Sequence, residues 1–219
     1  MSEVAAKNIK AFNPDSKIII MVRNPADLIY SYFLQNRVNL IETEKSFEKA
    51  LSLEEARRKE TRKSVNGQPI QRLFYSQLAQ YKVQISRYLE FFKRDQIHII
   101  LFDNLKKDTE KEVRKVFDFL KIDPSTEIKS EVRNQAKRNR SAWVQRFIDD
   151  PPKWLRKPLR LIFSHKSRSK IYWFLWWSNK KKMDASLKPN LKREINLMYK
   201  SQIVYVSEKL NLNLDYWYN

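Results

Sequence analysis

Residues 17–33, Lys-Ile-Ile-Ile-Met-Val-Arg-Asn-Pro-Ala-Asp-Leu-Ile-Tyr-Ser-Tyr-Phe, set the strongest constraint on what this chain can fold into. Ile18 to Val22 form an unbroken apolar run rich in β-branched residues, the composition of a strand covered on both faces. Asn24 is a favourable N-cap, and Pro25 suits the first helical position, where its missing N–H costs nothing. Leu28, Ile29, Tyr32 and Phe33 then give the helix an apolar stripe. A buried parallel strand, a sharp turn and a helix are expected, and with them the α/β class. Arg23 falls at the carboxyl end of the strand and beside the helix N-terminus, where α/β sheets bind ligands. Ser31 follows about two turns beyond the cap, near the helical face of Asn24 and Asp27. One guanidinium and one hydroxyl near a helix start can hold a phosphate. The plainer reading pairs Arg23 with Asp27 and packs Ser31 along the helix.

Glycine occurs once, at Gly67. A phosphate cradle of the P-loop kind needs several glycines so that backbone N–H groups can approach the ligand, and these residues cannot build one. With 219 residues the chain is long enough for a single well-cored domain. Without cysteine there is no disulfide, thiolate chemistry or Cys-based metal site. His98 and His165 stand far apart without metal-ligand spacing; His98 lies in an apolar strand and reads as structural, His165 in a basic loop and reads as solvated. The net charge of +19 calls for an anionic partner such as a nucleotide, a sulfated glycan, nucleic acid or an acidic lipid surface. The N-terminal residues lack the basic start and apolar core of a signal peptide, and no stretch approaches the roughly 20 apolar residues of a spanning helix. A cytoplasmic or membrane-peripheral location is the expectation.

Periodicity fills in the rest. Residues 3–12 read as an amphipathic helix, and Asn13-Pro14-Asp15-Ser16 as the turn into the first strand. The charges of residues 37–68 read as a solvated face, with a helix from about Ser46 to Lys63 capped by Ser46. A long helix is expected from Gln71 to Phe92, a second strand at 96–102, and a helix capped by Asp108 or Thr109 carrying Val113, Val116, Phe117 and Leu120. Ser141 suits the N-cap of a further helix. Residues 189–210 read as a long C-terminal helix with Pro189 in its first turn.

The segment K-I-I-x-x-x-R-N-P-x-D, with its Arg-x7-Ser spacing, resembles the 3′-phosphate-binding segment of sulfotransferases, enzymes that use 3′-phosphoadenosine 5′-phosphosulfate (PAPS) as sulfo donor. The likeness is nearest to the carbohydrate and bacterial branch, and it runs from about residue 3 to the C-terminus. It takes in N-P-D-x-K at 13–17, R-x-Q-I-H-I-I-L-F-D-N-L at 94–105 and F-D-F-L-K-I at 117–122. It implies that Arg23 and Ser31 contact the donor's 3′-phosphate, although Leu28 stands where the family often has Arg. Asn134 and Lys137 match part of an N-x-T-K-G phrase in a loop that touches the nucleotide in relatives; Ala136 and Arg138 depart from it. The plainer reading of 133–141 is a solvated basic loop. Asp103 is taken as structural.

The resemblance also implies what to miss. Relatives hold the 5′-phosphosulfate on a Gly- and Ser/Thr-rich loop and use a Glu or His as general base, both before the segment matched by Arg23. Only 22 residues precede Arg23 here, so the expected fold is a helix-rich remnant of a P-loop-like parallel sheet. It would comprise two strands (17–23 and 96–102), several helices and a long C-terminal helix, lacking the N-terminal phosphosulfate-binding part and exposing an apolar groove. No catalytic residue can be named. The expected function is sulfo transfer from PAPS to a hydroxyl or amine acceptor, carbohydrate or small molecule, with this chain expected to supply the 3′-phosphate grip and little of the catalysis. The alternative is a non-catalytic basic domain. Residues 133–182 carry 15 lysines and arginines against Asp149 and Asp150, a surplus of +13, interleaved with Trp143, Trp154, Leu155, Leu159, Leu161, Ile162, Phe163 and Ile171 to Trp177. Such a segment either lies on an anionic membrane or packs as a lid with its aromatics inward. No recognised nucleic-acid module is present, and no specific nucleic acid is expected as partner.

Overall fold

β1 (Ile18–Val22) and β4 (Ile97–Leu101) lie side by side and parallel, in register from Ile18 opposite Ile97 to Val22 opposite Leu101. The computed structural model describes residues 2–61, 63–123, 126–128, 137–152, 154, 158, 161, 164–183 and 186–218. Both expected strands are therefore found within a residue of their limits, in a mixed α/β chain dominated by helix. The chain divides into two compact units, Met1–Ile29 with Ser76–Arg133 and Leu187–Asn219, and Tyr30–Tyr75 with Asn134–Ser186.

The first unit holds the parallel pair. α1 (Ala5–Phe12) leads to a turn in which the Asn13 side chain accepts the Asp15 N–H, and β1 follows. One face of β1 departs from the expectation of a strand covered on both sides. Ile19 and Met21 on one face are exposed while Val22 on the other is fully buried; on β4 the face of Ile19 and Met21 is covered, with Ile100 buried and His98 stacked on Phe119. α2 (Pro25–Val38) starts two residues later. Asn24 caps it, its Oδ1 accepting the Asp27 N–H at 3.2 Å, and Pro25 takes the first helical position as expected. Asn196 supplies a second cap from far along the chain, its Oδ1 accepting the Ala26 N–H at 3.1 Å. Both asparagines are buried, and both donate their amide N–H to the Trp217 carbonyl. α5 (Tyr81–Phe91), α6 (Phe102–Lys107) and α7 (Thr109–Leu120) follow, the last capped by Asp108. His98 stacks on Phe119, with burial holding its pKa below the ordinary histidine value, which agrees with a structural role. The C-terminal helix comes in two pieces, α10 (Pro189–Met198) and α11 (Lys200–Leu210). They meet at Tyr199, whose N–H bonds to Ile195 and whose carbonyl accepts from Ile203, so the ladder runs on through the break.

The second unit contains the remainder of α2, α3 (Phe47–Ser52) and α4 (Glu54–Lys59), with two short antiparallel pairs. The pairs are β2 (Ser64–Val65) with β3 (Gln68–Pro69), and β5 (Lys137–Asn139) with β6 (Lys180–Lys182). α8 (Ala142–Asp149) is capped by Ser141, and α9 (His165–Ser178) by Ser164. The helix expected over 46–63 is split at Leu53, although Ser46 does cap it. The helix expected from Gln71 begins only at Tyr81, residues 70–73 and 75–77 forming 3₁₀ turns instead. Leu73 and Tyr75 are both buried, and on a continuous helix they would point about 200° apart. Nor are all the charges of 37–68 solvated. Arg57 binds both carboxylate oxygens of buried Glu42 at 2.8 Å, and the Tyr75 hydroxyl donates to the same carboxylate at 2.8 Å. An ion pair this closely satisfied organises the unit's interior.

Lys180 is a further buried charge. Its ammonium donates to Asn139 and to Gln145 (3.0 Å) and lies 4.1 Å over the Trp176 ring. Burial, with added repulsion from Lys137 and against the pull of Asp149, pushes its pKa down to about 8. No helix of the described residues is long and apolar enough to cross a membrane.

Two outcomes follow from this packing. Asn24→Ala removes a buried cap and is expected to lower unfolding free energy by about 1–2 kcal/mol in a urea titration; an unchanged midpoint contradicts the cap's role. Relative to Lys180→Met, the wild-type protein is expected to gain thermal stability as pH rises from about 8 toward 10.5. Over that window the unfolded chain still binds a proton that the folded chain has released, so stability climbs with pH. Parallel melting curves for the two proteins across the window contradict it.

Candidate functional site

β1 ends at Val22, and the next residue, half-buried Arg23, is fixed along its backbone and its side chain. The Tyr81 hydroxyl donates to the Arg23 carbonyl and accepts the Arg23 N–H at 3.3 Å. Burial holds the Tyr81 pKa well above the ordinary phenol value, so the hydroxyl keeps the proton this bridge requires. The guanidinium carbon sits 4.7 Å from the centroid of the Phe102 ring. Phe102 opens α6 at the carboxyl end of β4, so both parallel strands deliver a residue to the same place. A guanidinium resting on an aromatic face keeps its N–H fork free for an anion.

The acidic side chains of this region are engaged elsewhere. Asp27 pairs with Lys192 at 2.9 Å, not with Arg23. Asp103 accepts from the Trp217 indole at 2.7 Å and the Tyr216 hydroxyl at 3.1 Å, which ties the C-terminal segment to α6 and agrees with its structural reading. Among the described residues no carboxylate pairs with the Arg23 guanidinium.

The helix N-terminus itself contributes less than its position promised. Pro25 has no N–H, Ala26 donates to Asn196, Asp27 to the Asn24 side chain, and Leu28 to the Asn24 carbonyl at 2.9 Å. All donors of the first turn are satisfied within the protein, so an anion here has to be held by side chains. Ser31 lies on α2 with an exposed side chain, and its hydroxyl makes no hydrogen bond among the described residues. Arg23 belongs to the first unit and Ser31 to the second.

Asn134 lies outside the described residues, as do Leu155, Leu159, Ile162 and Phe163 of the basic segment. Lys137 is in β5, its ammonium 3.6 Å over the Trp177 ring. Among the described residues no cluster of His, Cys, Asp and Glu could hold a metal ion. Sequence reasoning passed over Tyr81, Phe102 and Asn196. Phe102 had a signal, as the residue ending an apolar strand, but nothing local marks Asn196 as a cap for a helix 170 residues earlier.

A family model described as "Sulfotransferase domain" matches residues 4–151. Among solved structures, the crystal structure of a sulfotransferase from Alicyclobacillus acidocaldarius aligns with a TM-score of 0.63 at 20% identity. The alignment covers 99% of this chain and 63% of that one, and at that identity it speaks for the fold. The chain thus spans under two thirds of the structure it matches, with Arg23, Ser31, Tyr81 and Phe102 all inside the family match. With more than half its length within that match, the chain belongs to the sulfotransferase-domain family.

Proposed function

We propose that the chain binds PAPS and its product 3′-phosphoadenosine 5′-phosphate (PAP) by the 3′-phosphate, with Arg23 and Ser31 as the grip. The observation that carries the reading is the Arg23 guanidinium at the carboxyl end of β1, backed by Phe102 and paired with no carboxylate among the described residues. A cation prepared in this way suits a dianionic phosphate. Asn134 and Lys137 are the further donor contacts in this reading.

The reaction served is sulfo transfer to a hydroxyl or amine, on a carbohydrate or small molecule. The acceptor oxygen or nitrogen attacks sulfur, the S–O bond to the 5′-phosphate breaks, and the acceptor's proton passes to a base. The 3′-phosphate takes no part in the bonds that change. Its grip positions the donor, so that binding energy far from sulfur orients the reacting end. No group among these residues is assigned to proton transfer or to the leaving phosphate.

Titration calorimetry with PAP and with adenosine 5′-monophosphate, which lacks the 3′-phosphate, isolates the grip. Arg23→Ala is expected to weaken PAP binding by roughly 10- to 100-fold, the range for one charge-assisted contact, and to leave the monophosphate unchanged. Equal affinity of both proteins for PAP overturns the assignment, as does an equal loss for both ligands.

A further inference from the structure

The lid alternative for residues 133–182 requires the aromatics to turn inward, and in α9 they do not. No residue of α9 is buried, and Trp173, Phe174 and Trp177 are 52%, 70% and 52% exposed. At 100° per residue, Lys166, Lys170, Trp173, Phe174 and Trp177 share one face of the helix. Off this face the helix has two ties to the rest of the unit. The Tyr172 hydroxyl donates to Asp149 on α8, and Trp176 lies beneath the Lys180 ammonium. On α8, Trp143 is 73% exposed and stacks on Phe147. On the β5–β6 pair the Lys137 ammonium lies 3.6 Å over the Trp177 ring, and Arg138, Lys181 and Lys182 are exposed, adding positive charge to this part of the unit.

We infer that this face of the second unit docks on an anionic lipid bilayer, Trp173, Phe174 and Trp177 entering the interface while Lys166 and Lys170 meet the headgroups. Charge complementarity selects the occupant. A second copy of the chain would bring another +19 against this face, whereas an anionic bilayer offers negative headgroups and acyl chains together. Single-stranded nucleic acid also satisfies positive charge and rings, but it needs flat platforms on which successive bases stack. The α9 rings meet edge to face, at 83° for Tyr172–Trp173, 71° for Trp173–Trp176 and 81° for Trp176–Trp177, forming a cluster and not a platform. The 14 residues of α9 are about 21 Å long, too short to span the roughly 30 Å hydrocarbon core, so the helix enters the interface and does not cross. The inference does not rest on donor binding by Arg23 and Ser31, although Lys137, a further donor contact in that proposal, lies over Trp177.

Flotation of the full chain tests it, with vesicles of phosphatidylcholine alone and mixed with phosphatidylglycerol, at low and physiological salt. A second set with brominated acyl chains reads insertion through quenching of tryptophan emission. The wild-type protein is expected to float with the mixed vesicles at physiological salt and to be quenched. Trp173→Ala/Phe174→Ala, whose sites are exposed and whose folding is checked by circular dichroism, is expected to bind at least roughly tenfold more weakly, having lost two inserted rings. Lys166→Gln/Lys170→Gln is expected to weaken binding while the bound fraction stays quenched. The inference is overturned by absence of wild-type binding, by binding without quenching, or by an aromatic double variant that floats like the wild type. Displacement from the vesicles by an equimolar single-stranded oligonucleotide overturns it in favour of nucleic acid.

Discussion

Two buried asparagines and one carbonyl hold the first unit together at the carboxyl end of β1. Asn24 and Asn196 each donate to the Trp217 carbonyl and each accept a first-turn N–H of α2, so the strand-to-helix turn, the C-terminal helix and the chain's last residues close on one another. Buried polar groups must find partners, and here each amide side chain is used as donor and as acceptor. Asp103 adds a second tie by receiving the Trp217 indole and the Tyr216 hydroxyl. The position of Arg23 follows, because the turn it precedes cannot shift without breaking this set.

That closure has a chemical consequence. A helix N-terminus with free amides would bind an anion by itself, and this one has none to give. What it leaves is a guanidinium whose backbone is held by Tyr81 and whose flat face rests on Phe102. Lys192 removes Asp27 from competition. With those amides satisfied, an anion drawn to this end of β1 would meet the side-chain cation before the helix dipole. The same economy of charge is visible in the second unit, where Arg57 is consumed by Glu42 while Lys180 donates to the neutral side chains of Asn139 and Gln145 and rests on an indole.

The parts of this fold that were legible are those fixed by neighbours in sequence. The apolar run at 18–22, the cap at Asn24, Pro25 in the first turn, and the caps at Ser46, Asp108 and Ser141 all depend on a few adjacent residues. The illegible parts depend on distant partners. Apolar spacing over 71–92 suits a helix, yet Tyr75 is drawn to Glu42 and the backbone turns in 3₁₀ steps. Lys-Arg-Asn and Lys-Lys-Lys carry no strand propensity, and they pair because α8 and α9 hold them, with Lys180 bonded to Gln145 and Lys137 resting on Trp177. The charges of 37–68 looked solvated because composition cannot show that Glu42 and Arg57 face each other. At the candidate site, Arg23 was legible from its place after a strand; the asparagine that satisfies the neighbouring helix was not.

Phosphorus NMR of PAP titrated with the protein bears most directly on the arginine grip, because the two phosphate resonances report separately. A 3′-phosphate signal that shifts and broadens ahead of the 5′ signal is the predicted result. A 5′ signal that moves while the 3′ signal stays at its free position would contradict the grip and leave the chain's place in the family as a matter of fold.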